Sequence, residues 1–266
     1  MEDFSQYNGE GTPLRKIQLR LIEMLVEIDK ICRNHNIQYW IDFGTLLGAV
    51  RHGGFIPWDD DLDIALPTSD YLKFLEIAPK ELPQWLFLQT KTSDPEFYRD
   101  LVRVRDKNSL YIMPGEDFSK NYKKGIFIDL LEIQPYPSIS PKFQKFFFHK
   151  WYRKVTCFRN GKQWLTPKNI IASITFPIIK LGLDITWFLL CIGKKDKLSY
   201  RKDINYYGNS YTEDMIFPLK DISFEGHTFL GPADPNRYLT SVYGDYMKIP
   251  PKEKRRTHFV HVEFFE

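Results

Sequence analysis

Between Trp40 and Leu66 the chain reads W-I-D-F-G-T-L-L-G-A-V-R-H-G-G-F-I-P-W-D-D-D-L-D-I-A-L, and this stretch constrains the fold more than any other. Four carboxylates, Asp59, Asp60, Asp61 and Asp63, stand among Trp58, Leu62 and Ile64. Apolar neighbours of that size anchor a backbone in a core, so the acids are held together rather than spread in solvent. Charges of one sign this close push protons onto one another unless a cation compensates them. In an extended segment side chains alternate faces, which predicts Asp59, Asp61 and Asp63 on one side and Asp60, Leu62 and Ile64 on the other. Carboxylates at i and i+2 can grip one ion, and such hard oxygen donors favour Mg²⁺ or Mn²⁺.

An EF-hand loop fits poorly, because its glycine position is Ile64 and its closing glutamate position is Asp70. No P-loop sequence occurs anywhere in the chain.

Upstream, Thr12-Pro13 is a helix start, and Ile17, Leu21, Met24, Leu25, Ile28, Ile31 and Cys32 recur at helical spacing up to about Asn34. Ile37 to Phe43 alternates as a strand and delivers the chain to Gly44. Gly44-Thr45 then reads as a tight turn into a short helix stopped at Gly53-Gly54. Free N–H groups at such a helix start suit a phosphate. Downstream, Pro57 delays the next strand to about Asp60 or Asp61. Thr68 or Ser69 opens a helix that Pro79 ends.

Strands are expected at Trp85–Gln89, Leu101–Arg105 and Ser109–Met113. In the second, Val102 and Val104 face a core, leaving Arg103 and Arg105, with Lys107 just beyond, to hold a nucleotide's phosphates or to lie on an exposed sheet face. Gly125-I-F-I-D-L-L-E-I is an apolar strand with Asp129 inside it. A buried carboxylate needs a partner, either a metal ion or an arginine. Three carboxylates from two strands are what metal-assisted phosphoryl transfer requires, which favours the metal.

After Pro135-Tyr136-Pro137 the composition shifts. Residues 141–209 hold 14 Lys/Arg against 3 Asp/Glu, although the whole chain is only +3. The rest is therefore acidic, and the basic region is expected to meet anions, such as lipid headgroups, or to be a solvated face. Ser140-Pro141 opens a basic, aromatic helix through Phe143, Phe147 and Trp151. Residues 170–192 are apolar and long enough to cross a bilayer, interrupted by Pro177, Lys180 and Asp184. A spanning, an interfacial and a buried reading all stay open for them. Further on, a hairpin at S-F-E-G-H-T-F precedes a short helix stopped at Gly244. His258 and His261 in the basic tail either line the site or are structural.

The 43% hydrophobic content is ample for a core. Cys32, Cys157 and Cys191 lack metal-site spacing and fit a reducing compartment. The charged N-terminal region is unlike a signal peptide, so a cytoplasmic protein is expected. The expected parts are a catalytic core over 1–140, the insert over 141–209, and a C-terminal part, 210–266, that completes the catalytic domain.

The block G-T-L-L-G-A-V-R-H-G-G-F-I-P-W-D-D-D-L-D-I closely resembles the LicD family of phosphocholine transferases, whose wider group includes fukutin-type ribitol-phosphate transferases. The likeness extends to G-I-F-I-D-L at Gly125–Leu130, F-E-G at Phe224–Gly226 and Y-G-D-Y-M from Tyr243, and is weakest over the insert. It implies an α+β, nucleotidyltransferase-like fold: a small mixed sheet flanked by helices, here with a basic, aromatic helical insert. It also implies a site in which Gly44 and Thr45 form the turn, Asp61 and Asp63 the D-x-D, Asp129 the third acid and Asp59 a further ligand. Asp61, Asp63 and Asp129 are then catalytic, and Asp59 joins them around Mg²⁺. Arg51, His52, Arg103, Arg105 and Lys107 are candidates for the donor. The cysteines match no zinc site of fukutin type.

The expected reaction is Mg²⁺-dependent transfer of phosphocholine, or a related alcohol phosphate, from CDP-choline or another CDP-alcohol to a sugar hydroxyl. The acceptor would be a lipopolysaccharide, teichoic acid or other cell-envelope glycan precursor, free or lipid-linked, met at the inner membrane face; no nucleic acid is expected as a partner. A D-x-D glycosyltransferase using nucleotide sugars, and a catalytically idle membrane adaptor, are the alternatives. With 42 Phe, Tyr and Trp in the chain, no aromatic cage for a quaternary ammonium can be singled out.

Overall fold

The computed structural model describes residues 3–97, 99, 101–137, 139, 166–193, 196–201 and 209–265. The basic helix expected from Ser140 lies outside the described residues. Two compact units divide the chain: residues 1–132 with 215–266, and residues 133–214. The architecture is α+β, as expected.

The first unit opens with the short α1 (Ser5–Asn8) and the long α2 (Pro13–Asn34). Thr12 caps α2 by accepting from the Arg15 N–H, and proline at the first helical position gives up an N–H that no carbonyl would have met. Ile17, Leu21, Met24, Leu25 and Ile28 are fully buried, so the periodic stripe is the core face.

A five-strand order runs β1 (Trp40–Ile41), β2 (Asp63–Pro67), β6 (Phe127–Pro135), β4 (Val102–Asp106) and β3 (Leu86–Gln89). Strand β4 thus lies inside the sheet, antiparallel to both β3 and β6. Between β1 and β2 comes α3 (Phe43–His52), and α4 (Thr68–Glu81) follows β2.

Several boundaries differ from expectation. Only Trp40–Ile41 of the Ile37–Phe43 run is strand, because Asp42 becomes the N-cap residue of α3. Gly44 and Thr45 therefore lie in the first helical turn rather than before it. The acids from Asp59 to Asp61 precede β2, which begins only at Asp63. Helix α4 is preceded by Pro67 instead of a hydroxyl cap and continues past Pro79 to Glu81.

Strand β5 (Ser109–Ile112) pairs antiparallel with β11 (His261–Phe264), a tail strand absent from the sequence expectations. Strands β9 (Lys220–Phe224) and β10 (His227–Gly231) form the expected hairpin. Helix α7 (Pro235–Tyr243), stopped at Gly244, packs on α3.

In the second unit the end of β6 pairs antiparallel with β7 (Lys197–Tyr200), which pairs with β8 (Tyr211–Thr212) ahead of the short α6 (Glu213–Ile216). Residues 167–191 form one helix, α5 (Pro167–Cys191), with Pro177 inside it.

Candidate active site

The acidic loop is built from behind by α2. Gln18, fully buried, donates from Nε2 to the backbone carbonyl of Asp59 at 2.8 Å. Its Oε1 accepts from Asn8 and Arg15, so both ends of the amide are used. Arg15 also meets Glu225 at 2.8 Å, and the other Glu225 oxygen accepts from the Phe55 N–H at 3.0 Å. The F-E-G turn thus fixes the loop between α3 and the acids.

Helix α3 meets that loop at closest range. A Cβ on Gly44 would stand 2.8 Å from Asp59 Oδ2, so only glycine leaves this carboxylate its place. Thr45 is buried and accepts the Asp63 N–H on Oγ1 at 3.0 Å. Phe43 opens the helix with φ +39°, a left-handed conformation that a phenylalanine takes only at a cost and that clusters at functional sites.

The four loop acids divide as the alternation predicted, with Asp60 turned away from the others. Asp60 is buried and accepts from Tyr111 Oη at 2.8 Å and from the backbone N–H groups of His258 and Phe259 at 2.9 and 2.7 Å. His258 Nδ1 lies 3.0 Å from its Oδ1. Burial pushes the Asp60 carboxyl up, but these hydrogen bonds outweigh burial and hold it below the usual range.

On the other side, Asp59, Asp61 and His258 each offer a ligand atom, all within 4.8 Å of one another. Burial and the neighbouring Asp61 push Asp59 well up, and Asp61 is raised chiefly by burial. Asp63 is pushed well up by burial, then by Asp61, Asp129, Asp42 and Asp59. A concentration of buried negative charge that holds protons in this way is what a divalent cation relieves. The donor set, two carboxylates and an imidazole with further carboxylates alongside, fits such an ion.

Asp129 sits opposite Arg103 across the β4–β6 pair, and Arg103 Nε and Nη2 meet its two oxygens at 2.6 and 3.3 Å. The arginine partner left open by the sequence is therefore present. The Asp129 charge still reaches Asp61 and Asp63, raising both.

Arg103 and Arg105 do not share an exposed face. Both are 3% exposed and lie over the Phe127 ring, at 3.7 and 4.9 Å. Arg105 donates to Gln89 and to the Gly125 carbonyl, each at 2.5 Å. Burial and the adjacent Arg103 bring its pKa down to about 9. An interior strand has two covered faces, which alternation alone could not reveal. Lys107 is exposed and lies in the bend just past the end of β4.

Arg51 and His52 end α3, half-buried. Arg51 Nη1 donates to the Tyr246 carbonyl at 2.7 Å, and its Nε donates to His52 Nε2 at 2.9 Å. Burial and then Arg51 hold His52 down at about 4, hence neutral at physiological pH. Its ring meets Phe4 and Trp58 edge-on. This pair ties α3 to the Y-G-D-Y-M segment.

One site residue escapes the sequence reading. Asp42, fully buried, accepts from Tyr238 Oη and adds its charge to Asp63, whereas in the sequence it reads as one position of a strand. For His258 the sequence leaves a site-lining and a structural reading open, and the Asp60 contact brings it to the acids.

A family model described as LicD/FKTN/FKRP, nucleotidyltransferase domain, matches residues 36–176, from just before α3 through Asp129. The chain is 26% identical to Lipopolysaccharide cholinephosphotransferase LicD of Haemophilus influenzae, covering 93% of this chain and 96% of that protein. It is 31% identical to Ribitol 5-phosphate transferase FKRP of Mus musculus over 40% of this chain and 22% of that protein. A shorter likeness, 31% over 28% of this chain, links it to Mannosyltransferase regulator 4 of Saccharomyces cerevisiae, of which it covers 6%. With the acidic loop, the close-packed α3 and the matched segment in agreement, the chain belongs to the LicD/FKTN/FKRP nucleotidyltransferase-domain family.

Proposed function

We propose that this protein transfers an alcohol phosphate, phosphocholine in the leading reading, from its CDP ester to a sugar hydroxyl of a cell-envelope glycan precursor, releasing CMP. The observation that carries the reading is the convergence of Asp59, Asp61 and Asp63, all with raised pKa values, beside Asp129 and Asp42. The likeness to a lipopolysaccharide cholinephosphotransferase over nearly the whole chain supports phosphoryl-group transfer to a glycan. Choline as the alcohol, Mg²⁺ as the ion and a cell-envelope glycan as the acceptor belong to the proposal.

Asp59, Asp61 and His258 would hold the divalent ion, with Asp63 and Asp129 at its edge. When bound, it offsets the negative charge of the diphosphate and of the departing CMP. Gly44 keeps Asp59 in place and Thr45 fixes the strand start at Asp63, so the acids meet the donor pre-positioned. Asp129, held on both oxygens by Arg103, orients the acceptor hydroxyl. The hydroxyl oxygen forms a bond to the phosphorus distal to the nucleoside, the bond from that phosphorus to the bridging oxygen breaks, and the hydroxyl proton passes to the carboxylate. Arg103 acts here through Asp129, and Arg51 and His52 brace the end of α3. A cytoplasmic position at the inner membrane face, where lipid-linked acceptors are found, belongs to the same proposal.

Incubating the protein with CDP-choline, CDP-ribitol, CDP-glycerol and UDP-sugars, with and without Mg²⁺, tests the reading. Metal-dependent CMP from one of the CDP-alcohols supports it. UDP release instead moves the protein to the glycosyltransferases.

A further inference from the structure

Helix α5 presents two apolar faces, and only one of them is covered. On the covered face Phe176 and Trp187 are buried, and Trp187 packs edge-on against Tyr136 with ring centroids 5.7 Å apart. On the other face Ile174, Ile178, Leu181, Ile185, Phe188 and Ile192 are 50–77% exposed. They follow one another at alternating spacings of four and three, so Ile174 to Phe188 form one stripe along the helix and Ile192 continues it just past the helix end. The two charges within the apolar run, Lys180 and Asp184, are spent on each other at 2.5 Å.

A stripe of this kind can meet a second helix or a lipid surface. A paired helix needs a narrow seam bordered by charged residues that set partner and register. Here the exposed apolar arc is wider: Ile171, Ile179, Leu189 and Leu190 also face solvent outside the stripe. In the sequence the apolar run is flanked by Lys168 before it and by Lys194, Lys195, Asp196 and Lys197 after it, within a region of 14 Lys/Arg and 3 Asp/Glu. That pattern complements anionic headgroups. A spanning helix would need lipid all round, whereas α5 keeps Trp187 packed on Tyr136 of its own unit.

We infer that α5 is an interfacial membrane anchor, lying in the plane of an anionic phospholipid surface with its Ile174–Ile192 stripe among the acyl chains. This chooses the interfacial reading over the spanning and buried ones and does not depend on the catalytic proposal.

Co-sedimentation of the full chain with vesicles of phosphatidylcholine alone or mixed with phosphatidylglycerol tests it, alongside Ile174→Asn, Ile178→Asn and Phe188→Asn combined. These side chains are 68–77% exposed, so replacing them removes little packing. The wild type is expected to pellet with the mixed vesicles, and the triple variant to lose at least tenfold in partitioning while keeping its circular dichroism spectrum and its melting temperature. Three results overturn the inference: wild type left in the supernatant with both vesicle types, equal pelleting of wild type and variant, or a wild-type dimer by light scattering that the variant converts to monomer without any vesicle binding.

Discussion

The Asp60 carboxylate accepts the backbone N–H of His258, at 2.9 Å to each oxygen, across a separation of 198 residues. With Tyr111 Oη and the Phe259 N–H added, one buried side chain fastens the C-terminal tail to the acidic loop. The member of the D-D-D run turned away from the other acids is thereby the one that brings His258 to them.

Replacing Asp60 by Ala strips the acceptor from several buried donors at once. Losing charged hydrogen bonds of this type is expected to lower unfolding stability by about 3 kcal/mol. Denaturant unfolding checks the loss, and hydrogen exchange should show the β11 amides opening before those of β4 and β6. Unchanged protection in β11 would contradict the tether.

Gly44→Ala places a methyl group against Asp59 Oδ2. Alanine suits a helix better than glycine does, so stability is expected to change by less than ~1 kcal/mol. Mg²⁺ affinity, measured calorimetrically, is expected to fall about tenfold, equivalent to ~1.4 kcal/mol. Equal metal affinity in the two proteins would separate Asp59 from the ion.

Asp59 and Asp63 set a pH dependence whose sign is fixed. Their pKa values rise on folding, so between the ordinary carboxylate range and the raised values the folded state binds more protons than the unfolded one. Without metal, their contribution is lost as pH rises. A divalent ion that replaces those protons is therefore expected to raise the melting temperature more at pH 8 than at pH 5, as read by differential scanning fluorimetry with Mg²⁺ and Mn²⁺.

His52 acts in the opposite direction. Its pKa falls from 6.5 to about 4 on folding, so the unfolded state binds more protons between those values and stability drops as pH falls through that window. Melting curves from pH 7 to pH 4 are expected to show a shallower decline for His52→Gln than for the wild type.

Local patterns in the sequence were enough to find α2 with its Thr12-Pro13 start, the strands at Leu86–Gln89, Val102–Asp106 and Ser109–Ile112, the β9–β10 hairpin and the Gly244 stop. Each depends on spacing or on a capping residue within a few positions. The features misread or left open depend on the tertiary fold. Arg103 and Arg105 alternate with valines as an exposed face would, but β4 is interior and both faces are covered. Asp42 has the spacing of a strand residue and becomes a helix N-cap only because the chain turns there. His258 stands in a basic tail that resembles solvated surface until Asp60 holds it, and the arginine partner of Asp129 follows from cross-strand register.

The most direct test of the central claim compares CMP release from CDP-choline by the wild type with that of Asp61→Asn, with and without Mg²⁺ and in the presence of a sugar acceptor. The account predicts Mg²⁺-dependent release by the wild type and a loss of about 10³-fold in the variant at a retained melting temperature, the size of effect seen when one electrostatic stabiliser is removed. Release that is independent of the metal, or equal in the two proteins, would contradict it.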